Sequence, residues 1–158
     1  MTRPTLLLDL DGTLVHSVPD IAAALNRLML VRGLAAFSDA ETALMVGDGV
    51  AMLIERAFAA RGRHADAAAI PEYSADYVAH AADATQTFPG VPETLHALSN
   101  EGWRLAVCTN KPEAAARTLL QQNFVGPPKV SLKALLATAP LDGIDLERDR
   151  SPGRDVDL

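Results

Sequence analysis

The chain has 158 residues, of which 49% are hydrophobic and 22% charged, a balance too apolar for a disordered polymer yet without an apolar run long enough to cross a bilayer. Fourteen basic residues against twenty acidic ones leave a net charge of −6, which argues against nucleic-acid backbone or an anionic membrane as partner and for a compact small-molecule site. Cys108 is the only cysteine, so no intrachain disulfide is expected, and without a secretory pattern at the N-terminus the expected address is the cytoplasm.

Thr5–Leu8 is a short continuous apolar run bounded by Pro4 and Asp9-Leu10-Asp11-Gly12, which predicts a strand buried on both faces of a parallel sheet. From Val18 the pattern becomes helical. Ser17-Val18-Pro19-Asp20 has capping-box spacing with an early proline, ahead of Ile21, Leu25 and Leu28 on one face. Ser38-Asp39-Ala40-Glu41 repeats that signal, and Val50, Leu53, Ile54, Ala57 and Phe58 keep helical spacing until Gly62. Ile70, Tyr73 and Tyr77 mark a further helix entered at Pro71, and Phe88-Pro89-Gly90-Val91-Pro92 opens another that carries Leu95 and Leu98 and stops at Gly102. Arg104–Cys108 is the second strand.

A βαβ crossover takes about 30 residues, far fewer than separate these two runs, so an insertion is expected. Residues 1–17 and 84–139 read as an α/β core, 18–83 as an inserted all-helical cap, and 140–158 as an atypical, disordered tail with nine charged residues in nineteen and no aromatic one. The fold class is therefore α/β, a Rossmann-like parallel-sheet core with a helical cap, and late core strands are not evident.

Asp9 and Asp11 stand two residues apart at a strand end, so alternation puts both carboxylates on one side and Leu10 on the other. One can attack while the other handles a proton. Gly12-Thr13 permits a tight turn with amides turned inward, an arrangement that cradles phosphate. An isolated Asp-Gly is usually a hairpin turn; after a buried apolar run, and at the sheet edge where α/β folds place ligands, the catalytic reading is preferred. Two adjacent carboxylates repel, and Mg²⁺, which takes oxygen ligands alongside a phosphate substrate, relieves the conflict. Thr109 closes the second strand at the same edge, with Asn110 and Lys111 as further donors. The histidines at 16, 64, 80 and 96 share no metal spacing, and Cys108 reads as a small buried hydrophobe.

Leu8-Asp9-Leu10-Asp11-Gly12-Thr13-Leu14, Ser17-Val18-Pro19-Asp20 and Val107-Cys108-Thr109-Asn110-Lys111-Pro112 resemble the first and second motifs of the haloacid dehalogenase superfamily, and most of all its phosphoglycolate phosphatases. Phe88–Val91 and Val46-Gly47-Asp48-Gly49-Val50 resemble the same group, and the likeness covers residues 4–122. It implies a hydrolase of phosphomonoesters such as 2-phosphoglycolate. Asp9 would be the nucleophile that forms an aspartyl-phosphate, and Asp11 the general acid/base. Mg²⁺ would be held by Asp9 and by the Asp11 carbonyl. Gly12, Thr13, Thr109, Asn110 and Lys111 would bind the phosphoryl group, and Gly47, Asp48 and Gly49 would face the substrate from the cap. His16 stands where these phosphatases commonly carry a third aspartate.

The resemblance also calls for a later lysine and a late acidic pair. Lys129, Lys133, Asp145 and Asp149 are the only approximations, and surface charge is the preferred reading of each. Asp11 favours phosphate over carbon–halogen chemistry, and the absence of a cap lysine disfavours Schiff-base phosphonate hydrolysis; a sugar-phosphate mutase shares the first motif. A second reading, from another class, is a truncated or out-of-frame member of the family, deficient in turnover, that binds phosphate or a partner.

Overall fold

The computed structural model describes residues 4–124. The first strand, β1 (Thr5–Leu8), leads into a tight turn and a two-residue strand, β2 (Val15–His16). Four helices follow: α1 (Val18–Val31), α2 (Asp39–Ala43), α3 (Gly49–Ala60) and α4 (Ala69–His80). The chain then returns through β3 (Gln86–Thr87) to α5 (Val91–Asn100), β4 (Arg104–Val107) and α6 (Glu113–Phe124).

β1 and β4 pair in parallel, with Leu6 opposite Leu105 and Leu8 opposite Val107. This register ends both strands at one edge, so the segment from Asp9 and the segment from Thr109 emerge side by side. The short antiparallel ladder of β2 and β3, Val15 opposite Thr87 and His16 opposite Gln86, ties together the segments that lead into and out of α1–α4. His16 is exposed there, its ring 6.0 Å from that of Phe88.

The described residues form two apolar clusters. One lies mainly among α1–α4, with Leu25, Met29, Ile54, Ala57, Tyr73 and Tyr77 at its centre and Ala115 of α6 joining it. The other gathers Leu10, Leu14, Val15, Ala116 and Leu119, with Leu8, Leu95 and Val107 packed against it. Fully burying a Leu- or Phe-sized side chain is worth about 1.5–3 kcal/mol, so the apolar stripe of each helix fixes which side turns inward.

Local chemistry sets the ends of the elements. Ser38 makes the expected capping box with Glu41: its hydroxyl accepts from the Glu41 N–H, and its own N–H donates to the Glu41 carboxylate. Asn26 clasps the loop after α1 through the Phe37 N–H and carbonyl, both at 2.8 Å. Gly90, at φ +81°, caps α5 in a conformation that a side chain would strain.

Several expectations need correction. Ser17 makes no side-chain cap for α1, because its hydroxyl and the Asp20 carboxylate are engaged elsewhere, and Pro19 sets the first turn instead. α4 begins at Ala69, two residues before Pro71. β1 is not buried on both faces: Leu7 is 69% exposed, since among the described residues β1 has one partner strand and is covered on one side. Cys108 is exposed, just beyond the end of β4. Lys129, Lys133, Asp145, Asp149 and the whole tail lie outside the described residues. Among those described, no helix is long and apolar enough to cross a membrane.

Candidate active site

The site begins with the turn after β1. Gly12 adopts φ +78°, the left-handed conformation glycine tolerates best, and the chain folds back so that the Leu14 and Val15 amides donate to the Leu10 carbonyl. Leu10 is thereby fully buried, while Asp9 and Asp11 face a cavity of about 420 Å³. The expectation that the Gly12 and Thr13 amides aim at a ligand is corrected: Gly12 N–H donates to the Val15 carbonyl at 2.9 Å and Thr13 N–H to that of Leu10 at 3.3 Å. Both are used within the turn. Gly12 still lines the cavity, and Thr13 does not.

From β4 come Thr109, Asn110 and Lys111, all lining the same space. The Thr109 hydroxyl accepts from the Lys111 N–H at 3.2 Å, which fixes the turn. Asn110 donates through Nδ2 to the Gly47 carbonyl at 2.9 Å, fastening this loop to the segment ahead of α3. Gly47 and Gly49 line the cavity; Asp48 does not, because its exposed carboxylate is drawn to Arg56.

Lys111 carries more of the site than its sequence context indicates. Its side chain is almost wholly buried, and Nζ lies 2.7 Å from Asp11 Oδ1. The same Oδ1 accepts from Ser17 Oγ at 2.5 Å. Both donors fall on one carboxylate oxygen, Oδ1. Nζ also sits 4.8 Å from the centre of the Tyr77 ring, so an aromatic face roofs the ammonium. Burial pushes Lys111 below the ordinary lysine range, and the Asp11 carboxylate opposes that shift.

The cavity is further lined by Ile21 of α1, Val46 in the loop ahead of α3, Val50 and Leu53 of α3, and Tyr73 and Tyr77 of α4. The two tyrosine rings stack at 5.7 Å. Below them, the buried Asp20 carboxylate accepts from the Ala84 and Thr85 N–H groups and from Thr85 Oγ1 at 2.7 Å. It binds the start of α1 to the segment returning from α4. Sequence reasoning missed the roles of Ser17, Asp20 and Tyr77, whose partners are remote in sequence; their only signal was polar character at positions flanking or within helical patterns.

Asp9, Asp11, Gly12, Thr109, Asn110, Lys111, Gly47 and Gly49 therefore meet at one cavity. Its donor set is compatible with a hard divalent cation: carboxylate and carbonyl oxygens beside open space, for an ion commonly held by one or two carboxylates together with a phosphate. No cluster of three acidic, histidine or cysteine side chains suited to a metal occurs among the described residues.

Comparison with known proteins gives a consistent picture. The chain is 46% identical over 125 residues to a phosphoglycolate phosphatase of Cereibacter sphaeroides, covering 77% of this chain and 57% of that protein. It is 43% identical over 124 residues to one from Rhodospirillum rubrum, covering 73% and 52%. It thus spans about half the length of these curated relatives. A crystal structure described as that of a predicted phosphoglycolate phosphatase from Haemophilus somnus superposes with a TM-score of 0.67 at 29% identity, over 78% of this chain and 59% of the other. The family model for haloacid dehalogenase-like hydrolases matches residues 6–126, the stretch that contains both strand-end loops and the helices between them, and the chain belongs to that family.

Proposed function

We propose that the chain is a Mg²⁺-dependent phosphomonoester hydrolase acting through an aspartyl-phosphate on a small phosphorylated metabolite, with 2-phosphoglycolate as the leading substrate and the cytoplasm as its compartment. The observation that carries the proposal is the convergence of Asp9, Asp11, Thr109 and Lys111 on one cavity roofed by α1–α4. Residues 18–83 would act as a cap that selects the substrate, and the parts flanking them as the core that performs the chemistry.

Asp9 attacks phosphorus as the bond to the ester oxygen breaks, and Asp11 delivers its proton to the departing alkoxide. Water then attacks phosphorus, Asp11 takes the water's proton, and Asp9 is released together with phosphate. Ser17 and Lys111 hold Asp11 by Oδ1. Thr109 and Asn110 orient the phosphoryl group, and Lys111 supplies positive charge to an anionic ligand. Asp9 and the Asp11 carbonyl would hold Mg²⁺, which lowers repulsion between the carboxylate and the phosphoryl oxygens.

A second reading, a member of the family deficient in turnover, is favoured by one observation: only two carboxylates line the cavity among the described residues. Phosphate release from 2-phosphoglycolate as a function of Mg²⁺ separates the two. Release that saturates with Mg²⁺ supports the hydrolase, and no release at any Mg²⁺ concentration supports the deficient protein.

A further inference from the structure

Arg56, about two turns into α3, does not line the cavity, yet its guanidinium grips both ends of a segment that does. Nη1 donates to the Met45 carbonyl at 3.1 Å, and Nη2 donates to the Asp48 carboxylate. The planar fork of an arginine holds two acceptors in a fixed relation, which the point charge of a lysine does not. Between these anchors lie Val46 and Gly47, and both line the cavity. Gly47 adopts φ +132°, a conformation that a side chain would strain, and its carbonyl accepts from Asn110 Nδ2 at 2.9 Å. Two residues on, the place a Cβ would take at Gly49 lies 3.9 Å from the Asn110 carbonyl oxygen, so the two loops touch at both glycines.

Asp48 gives something up for this arrangement. It stands at the N-cap of α3, where an aspartate ordinarily accepts from the first free amides of the helix, but its side chain makes no cap bond and is turned to Arg56 instead. Stability does not account for that exchange. The Arg56 and Asp48 side chains are 37% and 60% exposed, and an exposed ion pair contributes little.

We infer that Arg56 is a positioning residue: it braces Met45–Asp48 so that the Gly47 carbonyl latches onto Asn110 and the α3 side of the cavity keeps the shape by which it selects the ester group. This assignment rests on the reading of residues 18–83 as a substrate-selecting cap and deepens it. Arg56 acts through the segment it holds, and Asn110 is the point on the loop after β4 to which that segment is fastened. Asp9 and Thr109 come from the strand-end loops on the other side of the latch. Loosening the brace therefore alters the fit of the ester group and spares that of phosphate itself.

The test applies two readouts to the full chain as wild type, Arg56→Ala, Arg56→Lys and Asn110→Ala. The first, the NMR order parameter of the Gly47 amide in the free protein, needs no turnover. It is expected near the rigid value of about 0.85 in wild type and below about 0.6 in all three variants, with α1 unchanged. Lysine keeps the charge without the fork, so its failure to restore rigidity separates bracing from charge alone. The second is hydrolysis of 2-phosphoglycolate with inorganic phosphate as inhibitor. Arg56→Ala should raise KM about tenfold while lowering kcat less, and should leave inhibition by phosphate unchanged. Adding Arg56→Ala to Asn110→Ala should raise KM no further than Asn110→Ala alone, because both open one latch. A Gly47 amide as rigid in Arg56→Ala as in wild type overturns the assignment, and so does full rescue by Arg56→Lys. Equal weakening of ester and phosphate, or an unchanged KM with a mobile Gly47, overturns the role in selection. A wild-type chain that hydrolyses no phosphomonoester contradicts the proposed function, and the Gly47 order parameters then decide the bracing role by themselves.

Discussion

Lys111 Nζ and Asp11 Oδ1 meet at 2.7 Å across a hundred residues of chain, joining the turn after β1 to the turn after β4. The contact gives the second carboxylate a fixed orientation, and Ser17 Oγ on the same oxygen reinforces it.

Asp11→Asn follows directly from this arrangement. The amide keeps the shape and the backbone carbonyl but cannot carry a proton to the leaving oxygen, so hydrolysis of an alkyl phosphate should slow about 10²–10⁴-fold. p-Nitrophenyl phosphate, whose leaving group needs little protonation, should lose much less. Steady-state rates for both substrates check the difference; equal losses would assign Asp11 to ligand binding alone.

Asp20 is a structural counterpart. Its buried carboxylate satisfies the Ala84 and Thr85 amides and the Thr85 hydroxyl. Asp20→Ala leaves those donors without their acceptor and should destabilise the protein by about 1–3 kcal/mol. Urea unfolding measures it, and a change near zero would show that water replaces the carboxylate without cost.

The acid dependence of stability should carry the signature of Asp66. Its hydrogen bonds with Arg32, at 2.7 and 3.0 Å, hold the folded carboxyl at about 2, below the ordinary 3.8. The unfolded state therefore binds the proton more readily, so the contribution is complete above about pH 4 and is lost as pH falls toward 2. Asp66→Asn should unfold earlier than wild type at pH 6, with the gap closing at pH 2. Being exposed, the pair is screened by salt, and the gap should narrow with added NaCl. A gap that persists at pH 2 would point to packing instead.

These contacts also show what a sequence reveals. β1 and β4 were legible because a short apolar run bounded by turn residues has few other readings, and α1 and α3 because their apolar residues keep a helical period over several turns. β2 and β3 pair only two residues each, too few for any period. Asp9, Asp11 and Thr109 were legible as strand-end residues. The Lys111–Asp11 pair, the Asp20 clasp and the Tyr77 roof were not, since each depends on elements brought together only by the fold. Ser17 misled for the same reason: cap spacing is local, whereas its hydroxyl is captured by Asp11.

Mg²⁺ dependence should be weak in affinity. With two carboxylates lining the described cavity, half-saturation should lie well above that of a site with a third carboxylate, since Mg²⁺ gives up water reluctantly. Asp145→Asn with Asp149→Asn, at positions outside the described residues, should leave phosphate release unchanged. A rise in the Mg²⁺ requirement in that double variant would identify those carboxylates as ligands.

The nucleophile offers the most direct measurement: phosphate release from 2-phosphoglycolate at saturating Mg²⁺ by the 158-residue chain and by Asp9→Asn, with both proteins shown to be folded by circular dichroism. The expected result is Mg²⁺-dependent release by the wild-type chain and none above background for Asp9→Asn, because an amide cannot form the aspartyl-phosphate. Undiminished release by Asp9→Asn would contradict the proposed mechanism.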